Sequence, residues 1–208
     1  MFKKAFSLAE ILIVIAVIGT VAALTLPNLN DKYSEDQTVI KLQKFQNELN
    51  SAHKQAVLRY GNYNEWFTSN TDDDTKKTEY RDRLVEFLEI SRTNTSFPVK
   101  GFNSYTKYEL KDGSLIAVNA EADGKCQIII ATDGMNGVTL GKNIFGFVLN
   151  PDTDSVLPFG KLDSDRAENN AFNVSNYLYA TNWVLTNGNM DYLKCAASLN
   201  WETKTTCD

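Results

Sequence analysis

Glu10 makes the clearest chemical demand in this sequence. It sets a carboxylate four positions into a run of twenty-one residues, Phe6 to Leu26, that are almost all apolar. As a helix this run rises roughly 31 Å at 1.5 Å per residue, close to the ~30 Å hydrocarbon core of a bilayer. A carboxylate in lipid costs about 2.5–3.5 kcal/mol on insertion scales, so a residue of this kind is more often functional than accidental. Pro27 closes the apolar run, and Lys3 and Lys4 stand ahead of it.

The remaining reactive residues are sparse. His53 is the only histidine, with no second His or Cys spaced from it as a metal pair, so it is expected as a partly buried or exposed helix residue. Asp72, Asp73 and Asp74 are adjacent acids without a ligand pattern and read as solvated surface. In Thr132 to Lys142 (TDGMNGVTLGK), Asp133 and Asn136 offer hard oxygen atoms among glycines. The spacing is not that of a helix–loop–helix calcium site, and a tight turn is the stronger reading. The three cysteines, Cys126, Cys195 and Cys207, allow one disulfide, and Cys126 can pair with either of the others. No nucleophile elbow, phosphate loop or His-based metal cluster occurs, and no base stands near the cysteines, so the chain is not expected to be an enzyme. A net charge of −5 and the lack of a basic aromatic patch exclude a binder of nucleic-acid backbones.

These residues must be positioned by a small set of elements. Val39, Leu42, Phe45, Leu49, Ala52, Ala56 and Tyr60 form one apolar stripe at helical spacing, which Gly61-Asn62 ends. Pro27 and the polar run Asn28 to Asp36 predict a kink or a loosened segment, so Phe6 to Tyr60 reads as one bent helix. Its first half is apolar on all sides and its second half is amphipathic. Asn62 to Lys77 reads as a loop and Glu79 to Ile90 as a short helix, followed by an irregular stretch through Pro98. Then the period falls to two. Tyr105 to Leu110, Ser114 to Ala120 and Gln127 to Ala131 are predicted strands, joined by Asp112-Gly113 and Asp123-Gly124 turns. Asn143 to Leu149 and Ser155 to Pro158 add strand or edge segments. Ala167 to Tyr179 reads as a short helix or loop and Tyr179 to Leu185 as a strand or extended segment. Asn187-Gly188 reads as a turn, and Met190 to Ala196 as a last helical turn. The fold class is α+β, with an antiparallel sheet laid on the amphipathic helix.

An ordinary secretory signal also has a basic start and an apolar core, but its core is shorter and carries no acid at this place. A short basic leader ending in a small residue (Ala5), then Phe6, with Glu10 at the fifth position and Pro27 at the twenty-second counted from Phe6, resembles the N-terminus of type IV pilins and type II secretion pseudopilins. The family's usual glycine before the cut is Ala5 here. The resemblance covers about the first 27–30 residues. It implies a leader at 1–5, a membrane and assembly helix at 6–27, its amphipathic half at 28–61 and a globular head at 62–208. It implies cleavage between Ala5 and Phe6 by a prepilin peptidase, N-methylation of Phe6, and filament assembly in which Glu10 meets the N-terminal amine of a neighbouring subunit. The implied partners are like subunits, the peptidase, an inner-membrane assembly platform and, before assembly, membrane lipid. The implied location is the inner membrane, by a single span, with the head on the periplasmic or extracellular side. A C-terminal Cys195–Cys207 disulfide and, more weakly, a calcium ion at Asp133 and Asn136 are further implications of the same resemblance. A membrane-anchored or secreted binding domain that never polymerises is the alternative.

Overall fold

The computed structural model describes residues 8–66, 71–136, 139–150, 153–160 and 177–207. The chain divides into two units, residues 1–37 and 38–208. In the first, helix α1 is described from Leu8 onward. Its apolar side chains are exposed on every side, from Ile11, Leu12, Ile13 and Val14 in successive positions to Leu24 and Leu26. The two threonines of this stretch turn their hydroxyls back onto the helix: Thr20 Oγ1 donates to the Val17 carbonyl at 2.9 Å and Thr25 Oγ1 to that of Val21 at 3.0 Å. Back-bonding of this kind satisfies the hydroxyl without water. The helix is long and apolar enough to cross a membrane.

Pro27 ends the apolar run but not the helix. α1 continues unbroken from Leu8 to Tyr60, and residues 28–36 are helical rather than loosened. Proline removes one i→i−4 hydrogen bond, here the one to the Ala23 carbonyl. Adding turns to an existing helix is far cheaper than nucleating a new one, so the polar segment, which contains no glycine, stays helical.

The second unit holds the core. Val39, Leu42, Phe45, Leu49, Ala52 and Ala56 of α1 are all buried, the last five at 2% exposure or less. Phe45 meets Phe147 edge-on, ring centroids 5.7 Å apart. Six antiparallel strands, β1 (Ile90–Thr93), β2 (Thr106–Leu110), β3 (Leu115–Ala120), β4 (Cys126–Ala131), β5 (Ile144–Asn150) and β6 (Ser155–Pro158), form one sheet in sequence order. The Asp-Gly turns lie where expected. Asp112 Oδ1 accepts from the Ser114 N–H at 2.9 Å, and Asp123 Oδ1 from the Lys125 N–H at 3.0 Å. The pleat sorts the apolar residues. Ile116, Val118, Ile128, Ile130, Phe145, Phe147 and Leu149 join the core that includes α1. Leu115, Ala117, Ile129, Ala131 and Ile144 face the other side, under Phe97, Phe102, Tyr105 and Phe159. Both faces of the central strands are covered, which is why they read as near-continuous apolar runs.

Three expected elements differ. The short helix, α2, runs Asp73–Val85 instead of Glu79 to Ile90. Its start is set by Asp72, whose carboxylate accepts from the Thr75 N–H at 2.9 Å and the Thr75 hydroxyl at 2.6 Å. Asp73 and Asp74 then sit in the first turn, where acids suit the helix dipole. The early finish frees Ile90 to pair with Leu110 in β1, an edge strand with three exposed residues in a stretch expected to be irregular. Tyr179 to Leu185, expected as extended, is mostly helix α3 (Ala180–Asn187). Trp183 and Val184 are fully buried there, and Gly188 closes the helix at φ 66°, its N–H returning to the Val184 carbonyl at 2.9 Å. Thr181 Oγ1 accepts from the Gly146 N–H at 2.9 Å and so ties α3 to β5. Gly146 has no room for a side chain, because a Cβ there would lie 2.5 Å from the Phe159 ring. The segment 167–176 lies outside the described residues. A last helical turn, α4 (Tyr192–Cys195), precedes a disulfide between Cys195 and Cys207. Cys126 is free and buried, and burial pushes its thiol up to about 12.

Candidate functional site

The sequence points to chemistry at two places, the apolar half of α1 and the loop after β4. In the first, Glu10 lies at an exposed position of α1. The expected processing residues, Ala5 and Phe6, lie outside the described residues. Pro27 is an interior residue of the same helix.

In the loop after β4, Asp133 already has a cation. Lys41 Nζ lies 3.2 Å from Asp133 Oδ1 and donates to the Thr132 carbonyl at 3.0 Å. Asn136 works through its backbone. Its carbonyl accepts from Asn143 Nδ2 at 3.2 Å, and its N–H donates to the Asp133 carbonyl at the same distance. Asn143 Oδ1 in turn accepts from the Thr139 N–H at 2.8 Å. These oxygens fasten the loop to itself and to α1. Among the described residues, no three or more His, Cys, Asp or Glu side chains gather as a metal site.

His53 is buried rather than partly exposed, with 5% of its surface accessible. Its Nε2 lies 2.8 Å from Asp154 Oδ1 in the turn between β5 and β6, and its ring meets Tyr63 edge-on at 5.5 Å. Tyr63 donates its hydroxyl to the Gly124 carbonyl, and burial raises the phenol's pKa well above its ordinary value. A carboxylate more than a hundred positions away supplies the polar partner that His53 needs inside the core, and nothing in the local sequence announces it.

Two clefts also lay beyond sequence reading. One, of about 490 Å³, runs between α1 and the β5–β6 turn, along Asn50, His53, Lys54, Val57, Leu58 and Asp154. The other, of about 240 Å³, lies between α2 and the adjoining ends of β2 and β3. Its polar residues come from positions 74–81 on the helix, from Ser104 in the turn before β2, and from Thr106 and Asn119 on the sheet, and only the packing of α2 on β3 unites them.

Residues 28–165 match a family of unknown function, DUF6613. The chain belongs to this family. The matched part contains the amphipathic half of α1, α2 and the whole sheet, and it leaves out the apolar run and the disulfide-closed tail. No curated protein and no solved structure matches the chain.

Proposed function

We propose that this DUF6613 chain is a structural subunit of a type IV pilus or a type II secretion pseudopilus. One observation carries the reading. A single unbroken helix joins an all-round apolar stretch, marked by Glu10 and Pro27, to an amphipathic stretch that packs the sheet of the head. An ordinary membrane anchor needs neither the acid nor the continuity.

In this reading the chain is made with its apolar helix in the inner membrane and its head on the periplasmic or extracellular side. A prepilin peptidase cuts between Ala5 and Phe6 and methylates the new amine. An assembly platform then draws the subunit out of the bilayer, and apolar helices collect at the centre of a filament. Glu10 pairs with the amine of the neighbouring subunit. The pair fixes register at a cost in desolvation. The head needs no catalytic site and no cofactor for this role.

The test is Glu10→Val in the full chain. The head keeps its fold by circular dichroism and its thermal transition, while the yield of sheared filaments falls at least tenfold. N-terminal sequencing of the wild-type surface form starts at Phe6. Filaments at wild-type yield from the variant would remove Glu10 from assembly, and a start near Ala23 or Leu26 would mark a plain signal peptide. A second reading, a membrane-anchored head that does not polymerise, draws on the family match, which begins only after the apolar run. Imaging of shed material separates the two, since only the first yields filaments.

A further inference from the structure

The two ends of the head expose apolar groups of opposite shape. At one end Lys41 holds the loop after β4 through the Thr132 carbonyl and Asp133. This loop presents Met135, 56% exposed, and Leu140, 39% exposed. Gly134 lies so close to the Asp112-Gly113 turn that a Cβ there would stand 2.9 Å from the Gly113 carbonyl oxygen, which brings Asp112 near Met135. At the other end is the cleft of about 490 Å³ between α1 and the β5–β6 turn. Its lining is mostly apolar and includes Val57 and Leu58, beside Lys54 and Asp154.

Two elements measure the separation of these ends. Lys41 meets the loop and His53 meets the β5–β6 turn, twelve positions further along α1, which is about 18 Å at 1.5 Å per residue. β5 runs from the loop to that turn, Ile144–Asn150, about 20 Å at ~3.4 Å per residue. A projection at one end that fits a cleft at the other makes a heterologous contact, which runs on from chain to chain unless a ring closes. Methionine suits the projecting part, since its unbranched side chain adapts to an irregular gap.

The charges agree with such a fit. Lys41, Lys44 and Lys111, at the loop end, each face a carboxylate. Asp112 and Lys142 are exposed there and make no ion pair among the described residues. At the cleft, Lys54 is exposed and likewise makes none, and the Asp154 side chain is half exposed beside His53. Each surface thus offers one cation and one carboxylate around an apolar centre.

We propose that Met135 of one chain seats in the Val57–Leu58 cleft of a second copy displaced by about 20 Å along α1, with Asp112 meeting Lys54 and Lys142 meeting Asp154. This proposal rests on the filament reading for what gathers the chains. One methionine and two surface ion pairs make a contact far smaller than the ~1,200–2,000 Å² of a stable interface, so it acts where α1 already holds chains together.

The test places Asn50→Cys on the cleft and Asn136→Cys beside Met135 in the full chain, and treats the cells that make it with a short bismaleimide. Cys126 is buried and Cys195 and Cys207 are bonded to each other, so the two new thiols are the ones that react. The double variant is expected to give a ladder of dimers, trimers and longer products, and each single variant no dimer above background. Met135→Ser in the double-cysteine chain lowers the yield about tenfold, as loss of a buried methionine does. Lys54→Glu lowers it about threefold, and lowers it less when Asp112→Asn is already present, because the two charges act as a pair. The contact is overturned if the double variant gives no ladder, if either single variant cross-links as well as the double, if Met135→Ser leaves the ladder intact, or if Lys54→Glu costs as much with Asp112→Asn as without it. Electron microscopy of the same cells tests the filament separately. Filaments without a ladder remove the contact and keep the filament, and a ladder without filaments does the reverse.

Discussion

At the scale of single residues, the acids of this chain do work that their sequence neighbours do not reveal. Asp72 stands first in a run of three and looks like solvated surface, yet it decides where α2 starts. The hydrogen bonds from the Thr75 hydroxyl and then the Thr75 N–H hold its carboxyl below the ordinary value of 3.8. A carboxyl whose native pKa is depressed adds stability that is complete above its unfolded pKa and is lost as pH falls through the native value. Asp72→Ala is therefore expected to lower the thermal unfolding temperature at neutral pH. The gap between wild type and variant should narrow as the pH is taken below 3.8 and down through the depressed value. Asp72→Asn, which keeps a capping oxygen without the charge, should fall between the two. Thermal melts across that pH range measure this, and a gap that stays constant would show that the charged cap is not what Asp72 contributes. Asp133 and Asp154 show the same pattern over longer distances, one paired with Lys41 and the other with His53.

At the scale of elements, α1 is the clearest case of a pattern read correctly, to its end at Tyr60. Its buried stripe contains Leu42, Phe45, Leu49, Ala52 and Ala56, the residues that the helical spacing selects. Leu49 is fully buried, so Leu49→Ala should cost about 2–5 kcal/mol, the transfer free energy of the side chain plus the cavity it leaves. Leu58 on the same helix is 86% exposed, and Leu58→Ala should stay within about 0.5 kcal/mol. Denaturant unfolding of both variants checks the pair, and equal losses would mean that the stripe is not the packing face. The strands β2 to β6 were legible for a similar reason. β2 alternates polar and apolar residues, β3 to β6 are short and mainly apolar, and Asx-Gly turns divide the first three. β1 was not legible, because its Ser91, Arg92 and Thr93 are exposed and only pairing with β2 makes them a strand. α3 was misread because YATNWVL is rich in aromatic and β-branched residues. Burial of Trp183 and Val184 and the Gly188 cap overrode that preference. The polar cleft escaped for a plainer reason. Its walls are separated by more than twenty positions, and no periodicity links Lys77 and Arg81 to Asn119.

At the scale of the whole molecule, the two units make opposite demands on their surroundings. Residues 38–208 bury apolar residues on both faces of a sheet and present charged side chains such as Arg59, Glu86 and Lys111 outward. Residues 8–26 bury almost nothing, and each exposed apolar side chain forgoes about 1.5–3 kcal/mol of burial. The full chain should thus need lipid, detergent or other chains to cover that helix, whereas a chain starting at residue 28 should not. The cut at residue 28 is also where the family match begins, and it leaves the core stripe from Val39 onward intact. The shortened chain is expected to be monomeric in detergent-free buffer by size-exclusion chromatography with light scattering. It should keep the thermal transition of the full chain in micelles to within a few degrees, since the residues removed take no part in the head's core. The residues before Thr38 would fray, because a helix end without packing has little to hold it. If the shortened chain still aggregates without detergent, the apolar demand lies on the head itself. A filament reading based on the first helix alone would then have to give way to one in which the head carries a contact surface.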